Sequence, residues 1–126
     1  MYVLDTDIII WVLRGERKVI SALDKLVGEN KTGISTITIA EIYKFVFPLE
    51  FEKTENVIEQ HQTFQVTAKI AKEAGLYWNQ FHKRLLNLSL SDTLIAATAK
   101  IHGAALLTLN TRHFPMPDIK VQNPLK

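Results

Sequence analysis

Cysteine is absent from the 126-residue chain. That absence removes disulfides, thiolate zinc sites and cysteine nucleophiles together, and it fits a protein kept in the reducing cytoplasm. Long hydrophobic runs are missing as well. The longest, Ile8 to Leu13, is too short to span a bilayer. No basic segment followed by an apolar stretch opens the chain, so neither secretion nor membrane insertion is expected. Charge of one sign is scarce. Fifteen Lys and Arg against thirteen Asp and Glu leave a net charge of +2, too weak a field to recruit a nucleic acid at long range, so RNA would have to be held by a local patch. No internal repeat or biased run is present to act as a linker or disordered tail.

What is present is enough apolar material, 47% of residues, to fill one core, and a single domain over residues 1–126 is expected. Tyr2-Val3-Leu4 is a bounded apolar run that stops at Asp5-Thr6-Asp7 and reads as a short buried strand. Residues 8–13 read as a buried helix with Asp7 in its first turn, although their β-branched start also permits the second strand of a hairpin. Val19, Ile20, Leu23, Leu26 and Val27 recur at helical spacing up to Gly28, and Gly33-Ile34-Ser35 suggests a strand. Ile39, Ile42, Tyr43 and Val46 mark a third helix ending before Pro48. A polar helix over residues 50–61 precedes a strand at 64–66, and the longest helical signal covers 68–86. An Ala-rich helix opens at Asp92 and closes at Gly103, followed by strands at 104–109 and 119–121. Strands alternating with helices predict an α/β fold: a central, mostly parallel sheet with helices on both faces. Ligands in such folds collect beyond the carboxyl ends of the strands.

Four residues stand at or near those ends. Asp5 follows the first strand, Glu41 lies in the first turns of the third helix, Asp92 starts the Ala-rich helix, and Asn110 follows the last good strand. Carboxylates gathered at one rim repel each other unless cations neutralise them. Oxygen ligands of this kind select Mg²⁺ or Mn²⁺ over zinc, and such ions promote phosphodiester hydrolysis. Each acid also has a plainer explanation. Thr38-Ile39-Ala40-Glu41 matches a capping box, and capping is the better reading of Glu41 taken alone. Asp92 behind Ser91 can serve as a helix N-cap, and Asp5 as a turn residue. Spacing alone leaves both readings open.

The sequence resembles a known family along nearly its whole length. Val3-Leu4-Asp5-Thr6-Asp7, then Ser35-Thr36-Ile37-Thr38-Ile39-Ala40-Glu41-Ile42, then Leu90-Ser91-Asp92-Thr93-Leu94-Ile95-Ala96-Ala97-Thr98-Ala99 are similar to the three acidic motifs of PIN-domain toxins of the VapC type, in their usual order. Leu107-Thr108-Leu109-Asn110-Thr111-Arg112-His113-Phe114 resembles the fourth motif, and Val121-Gln122-Asn123-Pro124 the way these chains finish. The resemblance implies a PIN-like three-layer sandwich and a Mg²⁺- or Mn²⁺-dependent endoribonuclease. Asp5, Glu41 and Asp92 would be metal ligands, with Asn110 at the fourth acidic position as a fourth catalytic residue. It further implies the toxin of a type II toxin-antitoxin pair, which inhibits translation by RNA cleavage, forms a homodimer and assembles with a cognate antitoxin into a hetero-oligomer.

Asn110 departs from the family's usual aspartate. Its amide can orient a water but brings no charge, which puts a second metal ion in doubt. Thr6 and Thr108 would position waters or phosphate behind the ligands. Asp7 is left out of the core set, because a helix-dipole role suffices for it. His61, His82, His102 and His113 show no zinc spacing and are assigned to solvent-facing or turn positions. Arg112 and Lys44 are the leading candidates for RNA phosphate contacts, and Lys83 and Arg84 read better as a solvated face. Trp11, Phe45, Phe47 and Phe51 read individually as core residues, with base stacking or a protein groove as the alternative. Two rivals remain: a catalytically inactive PIN-like RNA- or protein-binding module, favoured only by Asn110, and a phosphoacceptor receiver domain, which lacks its expected lysine after the late strand.

Overall fold

Strands and helices alternate in a computed structural model that describes residues 1–126. In chain order they are β1 (Tyr2–Leu4), α1 (Thr6–Leu13), α2 (Arg17–Val27), β2 (Thr32–Ser35), α3 (Thr36–Tyr43), α4 (Phe51–Glu59), β3 (Gln62–Phe64), α5 (Ala68–Phe81), α6 (Leu90–Ile101), β4 (Ala105–Leu107) and β5 (Val121–Gln122). All five strands pair in parallel, in the spatial order β3-β2-β1-β4-β5. The chain lays down β1, β2 and β3 in one direction, then returns to the other side of β1 for β4 and β5. The winding therefore reverses between β1 and β4, and the ligand crevice of an open parallel sheet forms at such a reversal.

Pleating divides the core between the two faces of the sheet. Val3 and Leu106 pack with Ile70, Ala74 and Ile95 beneath α5 and α6. Their neighbours Leu4 and Leu107 point the other way, packing with Ile8, Val19 and Ile58 of α1, α2 and α4. Apolar residues on successive positions of short strands are thus the signature of a sheet covered on both sides. This is the three-layer α/β sandwich expected from the sequence. No helix is long and apolar enough to cross a membrane.

Gly33 is required by a close approach. A Cβ at this position would lie 2.2 Å from the ring of Phe64, which lies over β2 and stacks on His102 with ring centroids 4.0 Å apart. Larger side chains would push β3 off the sheet edge.

Several element boundaries differ from the sequence expectation. The helix predicted over 68–86 ends at Phe81. Leu85 still packs against the core and Leu88 is buried, so apolar periodicity continues while the backbone has already turned, with Arg84 and Leu85 both donating to the Phe81 carbonyl. Ile119 likewise reaches the core from a turn, and the last strand is Val121–Gln122 rather than 119–121. The third strand lies at Gln62–Phe64, earlier than 64–66. The fourth strand is the shorter Ala105–Leu107: the Thr108 N–H still donates to Gln122 of β5, but the Thr108 hydroxyl and the Leu109 N–H turn to the acids at the rim.

Candidate active site

Asp5 ends β1 and caps α1. Its Oδ1 accepts the Thr6 N–H at 2.8 Å, and its Oδ2 accepts the Thr108 hydroxyl from the end of β4 at 2.8 Å. The reversal point of the sheet is therefore bridged by a carboxylate and a hydroxyl. Thr108 Oγ1 also lies 3.3 Å from Asp7 Oδ2 and accepts the Asn110 N–H at 3.0 Å. Asp7 Oδ2 in turn accepts the Leu109 N–H at 3.1 Å. Its Oδ1 is buried without any partner.

Glu41 reaches the same rim from α3. The Thr6 hydroxyl donates to its Oε1 at 2.7 Å, and the buried Thr38 hydroxyl lies 3.1 Å from that of Thr6. The capping-box reading of Glu41 is overturned. Helix α3 begins at Thr36 and its cap is Ser35, whose hydroxyl accepts the Ile37 N–H. Glu41 thus stands beyond the first turn, with no free backbone amide to satisfy, and Thr38 faces the site. Asp92 presents the opposite case. It is not the N-cap but the third residue of α6, in a reciprocal capping box with Ser89: the Ser89 N–H donates to Asp92 Oδ2 at 3.2 Å, and the Asp92 N–H to Ser89 Oγ at 3.0 Å.

Asn110 turns its amide toward His113, with Nδ2 3.1 Å from Nε2. The other ring nitrogen, Nδ1, lies 3.9 Å from Asp92 Oδ2. His113 thus links two of the four expected site residues. The sequence reading placed it in a turn away from any chemistry; it does lie in a 3₁₀ turn, Thr111–His113, but that turn folds back onto the rim. No zinc spacing exists to signal this, and only the short distance from Asn110 in sequence hints at it.

The Asp5 carboxyl is pushed up to about 7, chiefly by burial and then by the charges of Asp7 and Asp92, against the lowering bonds from Thr108 and Thr6. Asp7 is also raised, chiefly by burial. Neither of these acids, nor Glu41 or Asp92, has a Lys or Arg ion-pair partner. Asp5, Asp7, Glu41 and Asp92 offer carboxylate oxygens with no Lys or Arg beside them, the donor chemistry that suits a hard divalent cation, and His113 is the one nitrogen group at the rim. No three Asp, Glu or His side chains converge on one point.

The cations expected at phosphate positions lie outside this knot. Arg112 is exposed beside the rim, and Lys44 is exposed on α3's far end with its Nζ over the Phe45 ring. The core reading of the aromatics is overturned: Trp11, Phe45, Phe47 and Phe51 are all exposed. Phe45 lines a groove of about 220 Å³ with Ile10, Leu13, Ile42 and Val46, and Glu41 lies at its edge. Aromatic type alone signals burial, and only the tertiary arrangement shows that these rings face outward, with Phe45 lining an open groove.

The fold and its acid-lined reversal point define a small α/β protein with a candidate cation site. Comparison with known proteins agrees. The PIN domain family model matches residues 2–119. Ribonuclease VapC10 of Mycobacterium tuberculosis is 34% identical over 119 residues, covering 92% of this chain and 87% of that protein. Toxin FitB of Neisseria gonorrhoeae is 30% identical over 139 residues, covering 98% of each. A toxin-antitoxin complex from Klebsiella pneumoniae superposes with a TM-score of 0.80 at 26% identity, covering 98% of both chains. The chain belongs to the PIN-domain family.

Proposed function

We propose that the protein is a metal-dependent endoribonuclease and the toxin of a toxin-antitoxin pair. The observation that carries this reading is the uncompensated carboxylate set at the β1/β4 reversal. The names of its relatives, a ribonuclease and a toxin, agree with it. Asp5, Glu41 and Asp92 would hold Mg²⁺ or Mn²⁺. When bound, such an ion acidifies a water and offsets charge on the phosphoryl group. Thr108 and Thr6 fix the orientation of the Asp5 and Glu41 carboxylates through their hydroxyls, so that these acids meet the ion without a search over rotamers. Asn110 and His113 face Asp92 from the fourth motif and are placed to orient a phosphate or a water. Arg112, exposed next to them, is the nearest candidate to offset the charge of the RNA backbone.

The antitoxin is assigned to the groove beside Glu41. Phe45, which lines it, is 73% exposed, and Phe47 and Leu49, which follow in the chain, are 72% and 100% exposed, apolar surface that a protein partner would cover. An antitoxin segment in this groove reaches the acids directly, where an arginine would be paired on arrival.

The deciding experiment is cleavage of total cellular RNA by wild type and Asp5→Asn, each with EDTA, Mg²⁺ or Mn²⁺. Discrete fragments that require metal and vanish in Asp5→Asn are expected. Intact RNA with both ions in the folded wild type would reject the nuclease in favour of a binding module.

A further inference from the structure

We propose that Asp7 is a positioning residue for the nuclease site: rooted in the first turn of α1, its carboxylate holds the exit of β4 in place against Asp5. The inference rests on the nuclease reading and names a residue that the acidic motifs do not require.

The contacts are specific. Asp7 Oδ2 accepts the Leu109 N–H at 3.1 Å and lies 3.3 Å from the Thr108 hydroxyl. Thr108 is the residue that donates to Asp5 and receives the Asn110 N–H. Strand pairing of β4 ends at Leu107, so the Leu109 N–H has left the ladder and needs another acceptor. Asp7 supplies it. Asn110 and the turn carrying Arg112 and His113 follow directly from this point.

Geometry separates this role from the plainer one. A carboxylate in the first turn of a helix gains from the dipole without accepting any hydrogen bond from another element. Asp7 instead turns inward beside a second carboxylate and offers Oδ2 to the Leu109 N–H and the Thr108 hydroxyl at the exit of β4. Dipole compensation does not require that geometry. A tether between α1 and β4 does.

Asparagine separates tether from charge, because its carbonyl oxygen can accept the same Leu109 N–H without the negative charge. The test measures kcat and KM for a cleaved RNA oligonucleotide with Mn²⁺, together with hydrogen exchange at the Leu109 amide, in wild type, Asp7→Ala and Asp7→Asn. In Asp7→Ala the amide should lose protection and kcat should fall by roughly 100-fold, as expected when reacting groups shift by about an ångström, with KM within about threefold. Asp7→Asn should recover both the protection and the rate to within about threefold. A protected amide with a lost rate in Asp7→Asn would overturn the tether and make the charge the essential feature. Wild-type protection and rate in Asp7→Ala would also overturn it. Should Asp7→Ala not fold, Asp7→Asn decides by the same two readouts. If wild type cleaves no RNA, the nuclease reading fails, and the tether is judged on amide exchange alone.

Discussion

A buried acid whose pKa rises on folding works against the fold once it ionises, and Asp5 is such a group. Its carboxyl moves from 3.8 to about 7 on folding, so the folded state holds a proton that the unfolded state has already released. The associated stability is fully present below about pH 4 and is lost as the pH rises through 7. Metal-free protein should therefore lose on the order of 2–4 kcal/mol between pH 5 and pH 8 from this group. Mn²⁺ should restore it, strongly at pH 8 and weakly at pH 5.5, where protons compete for the same oxygens. Thermal melts at the two pH values with EDTA or Mn²⁺ measure this; an equal Mn²⁺ shift at both would show that the ion binds elsewhere. By the same reasoning Asp5→Asn, inactive on RNA, should melt above wild type at pH 8 in EDTA. A lower melting temperature would mean that the Thr6 and Thr108 bonds outweigh the charge.

Elements of this fold meet through single residues whose size or cap matters more than their hydrophobicity. β2 and β3 approach because Gly33 has no side chain under the Phe64 ring. Gly33→Ala should displace that ring, break its stack on His102 and cost about 1–3 kcal/mol, the usual range for an overpacked site. Urea unfolding reads the loss, and an unchanged midpoint would mean that the edge strand moves freely. The cap at the head of α6 carries a different message. Ser89 and Asp92 satisfy each other's backbone amides, so the acid expected at the site is also the device that starts the helix, and its position is set by backbone geometry rather than by a flexible arm.

Across the whole molecule, the stretch before the last strand is tied back to the helices by polar contacts. Asp118 accepts the Tyr77 hydroxyl at 2.7 Å and an ion pair from Lys100 at 3.2 Å, and Lys100 also pairs with Glu73 at 2.8 Å. These contacts pin the stretch before β5 against α5 and α6, at the foot of the sheet. The Asp118 carboxyl is held below its ordinary range, first by the Tyr77 hydroxyl and then by Lys100. Its contribution is therefore present above the usual carboxylate pKa and lost as the pH falls through the depressed value. Asp118→Ala should unfold at lower urea than wild type at pH 7, with the gap closing below about pH 3. A gap that persists in acid would assign the effect to packing instead of charge.

Periodicity made the layers legible: apolar triplets bounded by acids or glycine could only be short strands buried on both faces, and the 3.6-residue stripes of α2 and α5 pointed each helix at the sheet. The order of acidic motifs made the candidate site legible, since strand exits of a parallel sheet share one rim whatever the intervening chain does. Other features depended on distances between residues far apart in sequence. Glu41 matched a capping box on paper, yet Ser35 caps α3 first, and a helix has one beginning. Asp7 resembled a dipole residue until Leu109 left the β4 ladder and needed an acceptor, and His113 joined Asp92 only because a 3₁₀ turn closes on the rim. Phe45, Phe47 and Phe51 have the composition of a core but lie outside it, because the sheet faces were already filled by Ile, Leu, Val and Ala. Local pattern thus determined which elements form and which faces they bury; packing across the β1/β4 reversal decided which polar groups meet, since hydrogen bonds depend on fractions of an ångström that no spacing along a chain encodes.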